Sequence, residues 1–150
     1  MARIPVIIDT DPGVDDATAI FMALGDPRLD VRGITTVAGN ADVDTTTWNT
    51  LALLSLVRRG DVPVARGCHQ PISGPPPREG ASSHGEDGLG GARPEVSDGI
   101  GVVDVSATEL MMRILESSEV PVTIIGIAPL TNVAKLCLEG GALLNRIREV

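Results

Sequence analysis

Four aspartates, Asp9, Asp11, Asp15 and Asp16, fall within eight consecutive positions of the stretch IIDTDPGVDD, directly after an apolar run. Each alone has an ordinary structural explanation. Asp11 can cap a helix whose first position is Pro12, and Asp15 and Asp16 suit the positive end of a helix dipole. Together they are harder to accommodate. Two like charges ~4 Å apart repel by roughly 4 kcal/mol at an effective dielectric near 20, whereas each helix-end interaction contributes about 0.3–1 kcal/mol. The cluster therefore calls for a bound cation or a raised pKa. Oxygen donors without His or Cys select a hard divalent ion, Ca2+ or Mg2+, over zinc. Such an ion acidifies water, and a carboxylate beside it can take the proton, so the chemistry on offer is the making of a nucleophile from water.

Three further polar residues stand where a site could use them. Asn40 ends TTVAGN and Asn132 ends IIGIAPLTN, each at a strand exit where an asparagine serves either a turn or a site. His84 lies among glycines in SSHGEDGLGG, inside a long aperiodic stretch of the kind that is uncommon in a compact domain unless functional or disordered. No GxGxxG follows the first strand and no GxxxxGK[ST] occurs, so dinucleotide and P-loop chemistry are unsupported.

The elements that must position these groups alternate. IPVIID is a short run rich in β-branched residues, and DDATAIFMALG carries apolar residues at helical spacing up to Gly25. DVRGITTVAGN reads as a second strand. VDTTTWNTLALLSLVRRG reads as a second helix, with two arginines in its last turn and Gly60 as its stop. VPVARG is a third strand, followed by the Gly/Pro-rich Gly67 to Gly101. Helical spacing resumes in VVDVSATELMMRILESS, with Ser106 or Asp104 as N-cap. VPVTIIGIA is the next strand, PLTNVAKLCLEG a helix with Pro129 near its first turn, and NRIREV the approach to a further strand. This order predicts an α/β fold: an open, mostly parallel sheet with helices on both faces and right-handed crossovers. In such sheets ligands bind outside the carboxyl ends of the strands, where the aspartates fall.

Composition bounds the rest. The 150 residues suit one domain, residues 1–150, and an α/β domain that ends on entering a strand is expected to be incomplete. With 43% hydrophobic and 21% charged residues the chain reads as globular. A net charge of -8 with scattered basic residues argues against nucleic acid as partner. No apolar run approaches the ~20 residues of a membrane span, and the first aspartate comes too early for a signal peptide, so no membrane partner and a cytoplasmic location are expected. Cys68 and Cys137 lack CxxC spacing and read as small buried hydrophobes in a reducing compartment. Phe21 and Trp48 are the two aromatic residues, too few for a base-stacking platform.

DTDPGVDDA from Asp9, GITTVAGN ending at Asn40, HGEDGLGG from His84 and APLTN ending at Asn132 resemble, in order, the motifs of the inosine-uridine nucleoside hydrolase family. The resemblance implies hydrolysis of the N-glycosidic bond of purine and pyrimidine ribonucleosides to ribose and free base, with Ca2+ as cofactor and a small-molecule nucleoside as partner. By position, Asp11 is then a metal ligand and the general base on the metal-bound water. Asp16 and the main-chain carbonyl of Ile127 are further ligands. Asp15 grips the ribose hydroxyls with Asn40 beside it, Asp9 supports the site from behind, and His84 lies near the substrate. An acidic pocket suits this reaction, because the sugar gains oxocarbenium-like positive charge as the bond breaks.

Where this chain has Ile127 the family usually carries a small hydroxyl residue. Family members also continue into a second half that supplies another metal-binding Asp, more ribose contacts and the groups that help the base leave. Two other readings compete. A phosphatase of the haloacid dehalogenase type also opens on a DxD motif after its first strand, but expects Thr or Val where Gly13 stands. A truncated hydrolase-like domain that binds Ca2+ without catalysis would leave a sheet edge uncovered and self-associate, and a homo-oligomer is among the expected states.

Overall fold

The computed structural model describes residues 2–75 and 83–150. The run IPVIIDT forms β1 (Ile4–Thr10), whose last six residues are all buried. Near-continuous burial is what a central parallel strand requires, because helices cover both of its faces. Its alternation sorts the core: Val6 and Ile8 join one cluster, Ile7 the other.

The chain continues through α1 (Val14–Gly25), β2 (Leu29–Thr36), α2 (Val43–Leu56) and β3 (Val64–Arg66). Further along the chain come α3 (Ala107–Ser117), β4 (Val122–Gly126), α4 (Thr131–Glu139), a 3-10 turn (Gly141–Arg146) and β5 (Ile147–Glu149). The sheet order is β3-β2-β1-β4-β5, and the pairings are parallel. α1 and α2 pack on the face of Val6 and Ile8 through Ile20, Leu53 and Leu54. α3 and α4 pack on the face of Ile7 through Met111, Leu115 and Leu136. This is the open α/β architecture that the alternation of elements predicts.

The chain builds outward from β1 to β2 and β3, then crosses to β4 and β5 on the other side. The carboxyl end of β1 is thus the point where the strand order reverses, the usual place for a ligand in such a sheet. Register brings Asp9 level with Thr35 on β2 and Gly126 on β4.

Several local expectations are corrected. α2 ends at Leu56, so Arg58 and Arg59 lie beyond the helix and not in its last turn. Arg58 takes the left-handed conformation (φ 55°), its N–H reaching Ser55 O and that of Arg59 reaching Leu54 O. These two bonds close the helix without Gly60. Gly60 serves packing instead, since a Cβ there would lie 2.8 Å from Ile100 Cγ1. Asp11 caps nothing: α1 begins at Val14 with Gly13 at the N-cap. Ser106, not Asp104, caps α3 by accepting from Glu109 N–H at 3.2 Å. Pro129 precedes α4, whose N-cap is Leu130. Cys137 is exposed and Cys68 half-buried, because neither faces a core cluster. Residues 76–82 of the Gly67 to Gly101 stretch, among them Ser82 of SSHGEDGLGG, lie outside the described residues. Among the described residues no helix is long and apolar enough to cross a membrane.

Candidate active site at the carboxyl end of the sheet

Of the four aspartates, Asp9 alone lies within β1; Asp11 follows the strand, and Asp15 and Asp16 fall in the first turn of α1. Asp9, on the side of Ile7, is fully buried. Its Oδ1 accepts from Thr35 Oγ1 at 2.6 Å and from Asn132 Nδ2 at 2.8 Å, while its Oδ2 is buried with no partner among the described residues. Burial pushes the Asp9 carboxyl from 3.8 up to about 6, against the pull of the Asn132 and Thr35 donors. Thr10 points the other way and donates to Asp16 Oδ1 at 3.0 Å.

Asp16 sits in the first turn of α1. Its Oδ2 accepts from Gly13 N–H at 3.0 Å and from Asn40 Nδ2 at 3.3 Å, so the structural reading of Asp16 as a helix-start residue is correct as far as it goes. Three donors occupy three of the roughly four acceptor positions of a carboxylate, which leaves capacity for one more partner. Asp11, beyond the end of β1, is 5% exposed. Its Oδ2 accepts from Asn40 N–H at 2.6 Å, and its carbonyl accepts from Asn40 Nδ2 at 3.0 Å. Burial raises the Asp11 carboxyl to about 6; the Asn40 N–H opposes the shift, and the charges of Asp16 and Asp15 add to it. The repulsion expected from the sequence is therefore present at Asp11. Gly39 makes the contact feasible, since a Cβ there would fall on Asp11 Oδ2.

Asp15, one position before Asp16 on α1, keeps its side chain 80% exposed at the mouth of the site. His84 Nε2 stands 3.6 Å from Asp15 Oδ1, and Val14 N–H points at His84 Nδ1 at 3.4 Å. The ring lies over Gly13, where a Cβ would come within 2.8 Å of His84 Cδ2. The glycine of DPGVDD is thus explained by the histidine of HGEDGLGG. Ile127 follows β4, and its N–H donates to Asp9 O at 3.0 Å, which aligns that backbone with the end of β1.

The structure therefore brings Asp11 and Asp16 each into contact with Asn40, and sets His84 against Asp15 beside them. Among the described residues no group of three His, Cys, Asp or Glu side chains forms a ready metal cluster. The donor set that remains is two carboxylates and main-chain oxygen, which suits a hard cation whose other ligands come from elsewhere. The unpartnered Asp9 Oδ2 is a further buried oxygen at this end of the sheet.

Three residues contribute beyond those expected from the sequence. Thr35 and Thr10 are signalled by register and parity, since Thr35 faces Asp9 across the β1–β2 pair and Thr10 faces α1. Asn49 is signalled by its place in α2: a polar residue four before Leu53, buried where that spacing calls for an apolar one.

A family model described as "Inosine-uridine preferring nucleoside hydrolase" matches residues 6–150. The "Pyrimidine-specific ribonucleoside hydrolase RihA" of an Escherichia coli O1:K1 strain is 41% identical over 151 residues, covering 98% of this chain and 47% of that protein. The protein of the same name from Salmonella arizonae is 45% identical over 137 residues, 89% of this chain and 42% of that protein. Among solved structures, "Plant nucleoside hydrolase - PpNRh1 enzyme" superposes with a TM-score of 0.87 at 39% identity over 96% of this chain and 45% of its own. "Inosine-Guanosine Nucleoside Hydrolase (IG-NH)" gives 0.87 at 33% identity over 97% and 44%. This chain spans less than half the length of each of these relatives.

Proposed function

Because the chain belongs to the inosine-uridine preferring nucleoside hydrolase family, we propose that it carries the water-activating part of a site that hydrolyses the N-glycosidic bond of ribonucleosides to ribose and free base. The observation that carries this reading is the half-buried Asp11–Asn40–Asp16 contact at the carboxyl end of β1. Asp11, its carboxyl raised to about 6, is the general base, a value close enough to neutral pH to accept a proton during turnover and release it afterwards. Asn40 N–H holds the carboxylate in place from one side.

Asp11, Asp16 and the carbonyl of Ile127 are the residues that would hold Ca2+, which when bound supplies an acidified water and offsets the carboxylate repulsion. Asp15, exposed at the mouth, takes the ribose hydroxyls, with Asn40 beside it and His84 on its flank. The anionic pocket favours the oxocarbenium-like charge that develops on the sugar. The partner is a small nucleoside, and the two free thiols accord with a cytoplasmic setting. The phosphatase alternative needs an accessible nucleophile at Asp9, which is 0% exposed and held by Thr35 and Asn132.

Calorimetric Ca2+ titration together with ribose release from inosine and uridine tests the proposal. Binding and turnover should both occur and both be lost in Asp11→Ala. Turnover that survives in Asp11→Ala would refute the role of Asp11. Binding without ribose release would support the second reading, a metal-binding domain without catalysis.

A further inference from the structure

His84 reaches the aspartate turn from a loop rich in glycine, and such a loop holds a side chain in place only if something fastens it. The fastening lies outside the loop. Asn49, on α2, is 4% exposed, and its Nδ2 donates to two carbonyls from different segments: Asp87 O at 2.8 Å and Pro12 O at 3.4 Å. A buried amide carries a desolvation cost unless its donors are used. Here the bonds run outward from α2 to two loops and contribute nothing to the helix itself.

The loop passes this fixed point on to His84. Asp87 Oδ1 accepts from Leu89 N–H at 3.1 Å and Gly91 N–H at 2.9 Å, and Gly90 N–H donates to His84 O at 2.7 Å. Leu89 is buried in the core cluster of α1 and α2. Gly88 lies between Asp87 and Leu89 at φ +76°, with room for a Cβ only at 2.9 Å from Asn49 Nδ2 and 3.2 Å from Pro12 O. The loop therefore approaches Asn49 and Pro12 as closely as a backbone can. On the far side of the same turn His84 rests on Gly13 and faces Val14 and Asp15.

We propose that Asn49 is a positioning residue: by joining the carbonyl of Pro12 to that of Asp87, it seats residues 83–91 on the aspartate turn and so holds His84 beside Asp15. Its functional meaning rests on the hydrolase reading above, in which Asp15 and His84 face the ribose. The seating itself does not depend on that reading.

The test follows the loop by NMR in the 150-residue chain. In Asn49→Ala the proximity signal between the His84 ring and Gly13 should vanish, and the Val14 amide should exchange with solvent about tenfold faster, the scale of one hydrogen bond. The amides of Ile7 and Ile8 in β1 should be unchanged, which separates a released loop from general loosening. Gly88→Ala, which strains the same contact from the loop side, should give the same pattern and serves if Asn49→Ala does not fold. A folded variant that keeps the His84–Gly13 proximity overturns the proposal, as does an equal rise in exchange throughout the sheet. In the ribose-release assay, Asn49→Ala should raise KM with kcat little changed, and Asn49→Ala/His84→Ala should be no worse than His84→Ala alone. Additive losses would overturn the action of Asn49 through His84. Absence of turnover in the unaltered chain would count against the hydrolase reading, while the NMR result still decides the positioning role.

Discussion

Asn132→Ala should destabilise the chain by roughly 3–5 kcal/mol at pH 8, and by clearly less near pH 4. Asn132 is fully buried, donates to Asp9 Oδ1 and Thr36 O, each at 2.8 Å, and accepts from Cys68 N–H at 2.9 Å. A hydrogen bond to a charged group contributes about 1.5–3 kcal/mol, and stranding a buried donor or acceptor costs about 1–3 kcal/mol. Thr36 O and Cys68 N–H would both lose their Asn132 partner. The pH dependence comes from Asp9. Burial already holds its carboxyl at about 6, and Asn132 is the larger of the two donors pulling it down. Without that donor the folded-state pKa rises further, so the variant carries an added cost relative to the unaltered chain only above about pH 6, where the folded Asp9 of the unaltered chain ionises. Below that value the folded carboxyl is protonated with or without Asn132, and only the neutral hydrogen bonds are lost. Urea denaturation at pH 4 and pH 8 measures both numbers. A loss under about 1 kcal/mol, or the same loss at both pH values, would refute the assignment of Asn132 as the residue that sustains the buried Asp9 charge.

Metal-free, the unaltered chain should itself lose stability between pH 4 and pH 7, because folded-state values raised from 3.8 to about 6 give stability that is present at low pH and lost as pH rises through 6. For Asp9 alone the difference corresponds to about 3 kcal/mol, and a urea midpoint that is equal or higher at pH 8 would contradict it. Gly39→Ala puts a Cβ on Asp11 Oδ2, so Ca2+ affinity by calorimetry should fall at least about tenfold with the fold retained by circular dichroism. Ser106→Ala removes the cap of α3 and should cost about 1 kcal/mol in urea denaturation without altering Ca2+ binding, since α3 lies outside the aspartate cluster.

The sheet was legible because β-branched runs and helical periods alternate on either side of the Gly/Pro-rich segment, and those patterns follow directly from burial on two faces. The acidic cluster was legible because like charges that close in sequence demand an explanation that local structure does not supply. What stayed hidden depends on contacts between distant segments. Asp11 has the residue type and the following proline of a helix cap, yet Asn40, 29 positions away, takes its carboxylate. Arg58 ends α2 in a conformation usually left to glycine, which no local pattern at RRG announces. Asn132 drew notice only as a strand-exit residue, although it is the side chain that joins Asp9, the end of β2 and Cys68. Asn49 carries no motif of its own, and its role depends on the Gly88 turn that rests on it.

The 123-residue separation between Asp9 and Asn132 also sets an order of events on the ribosome. At roughly 5–20 residues per second, about 6–25 s pass between the synthesis of the aspartate and that of the asparagine that satisfies it. During that interval β1 has β2 available on one edge while β4 is still unmade, so its other edge and its acidic end have no native cover. The nascent chain therefore carries its central strand half-paired until the second side of the sheet is made, and the same central position that buries β1 on both faces in the finished fold leaves one of its edges open while the chain is growing.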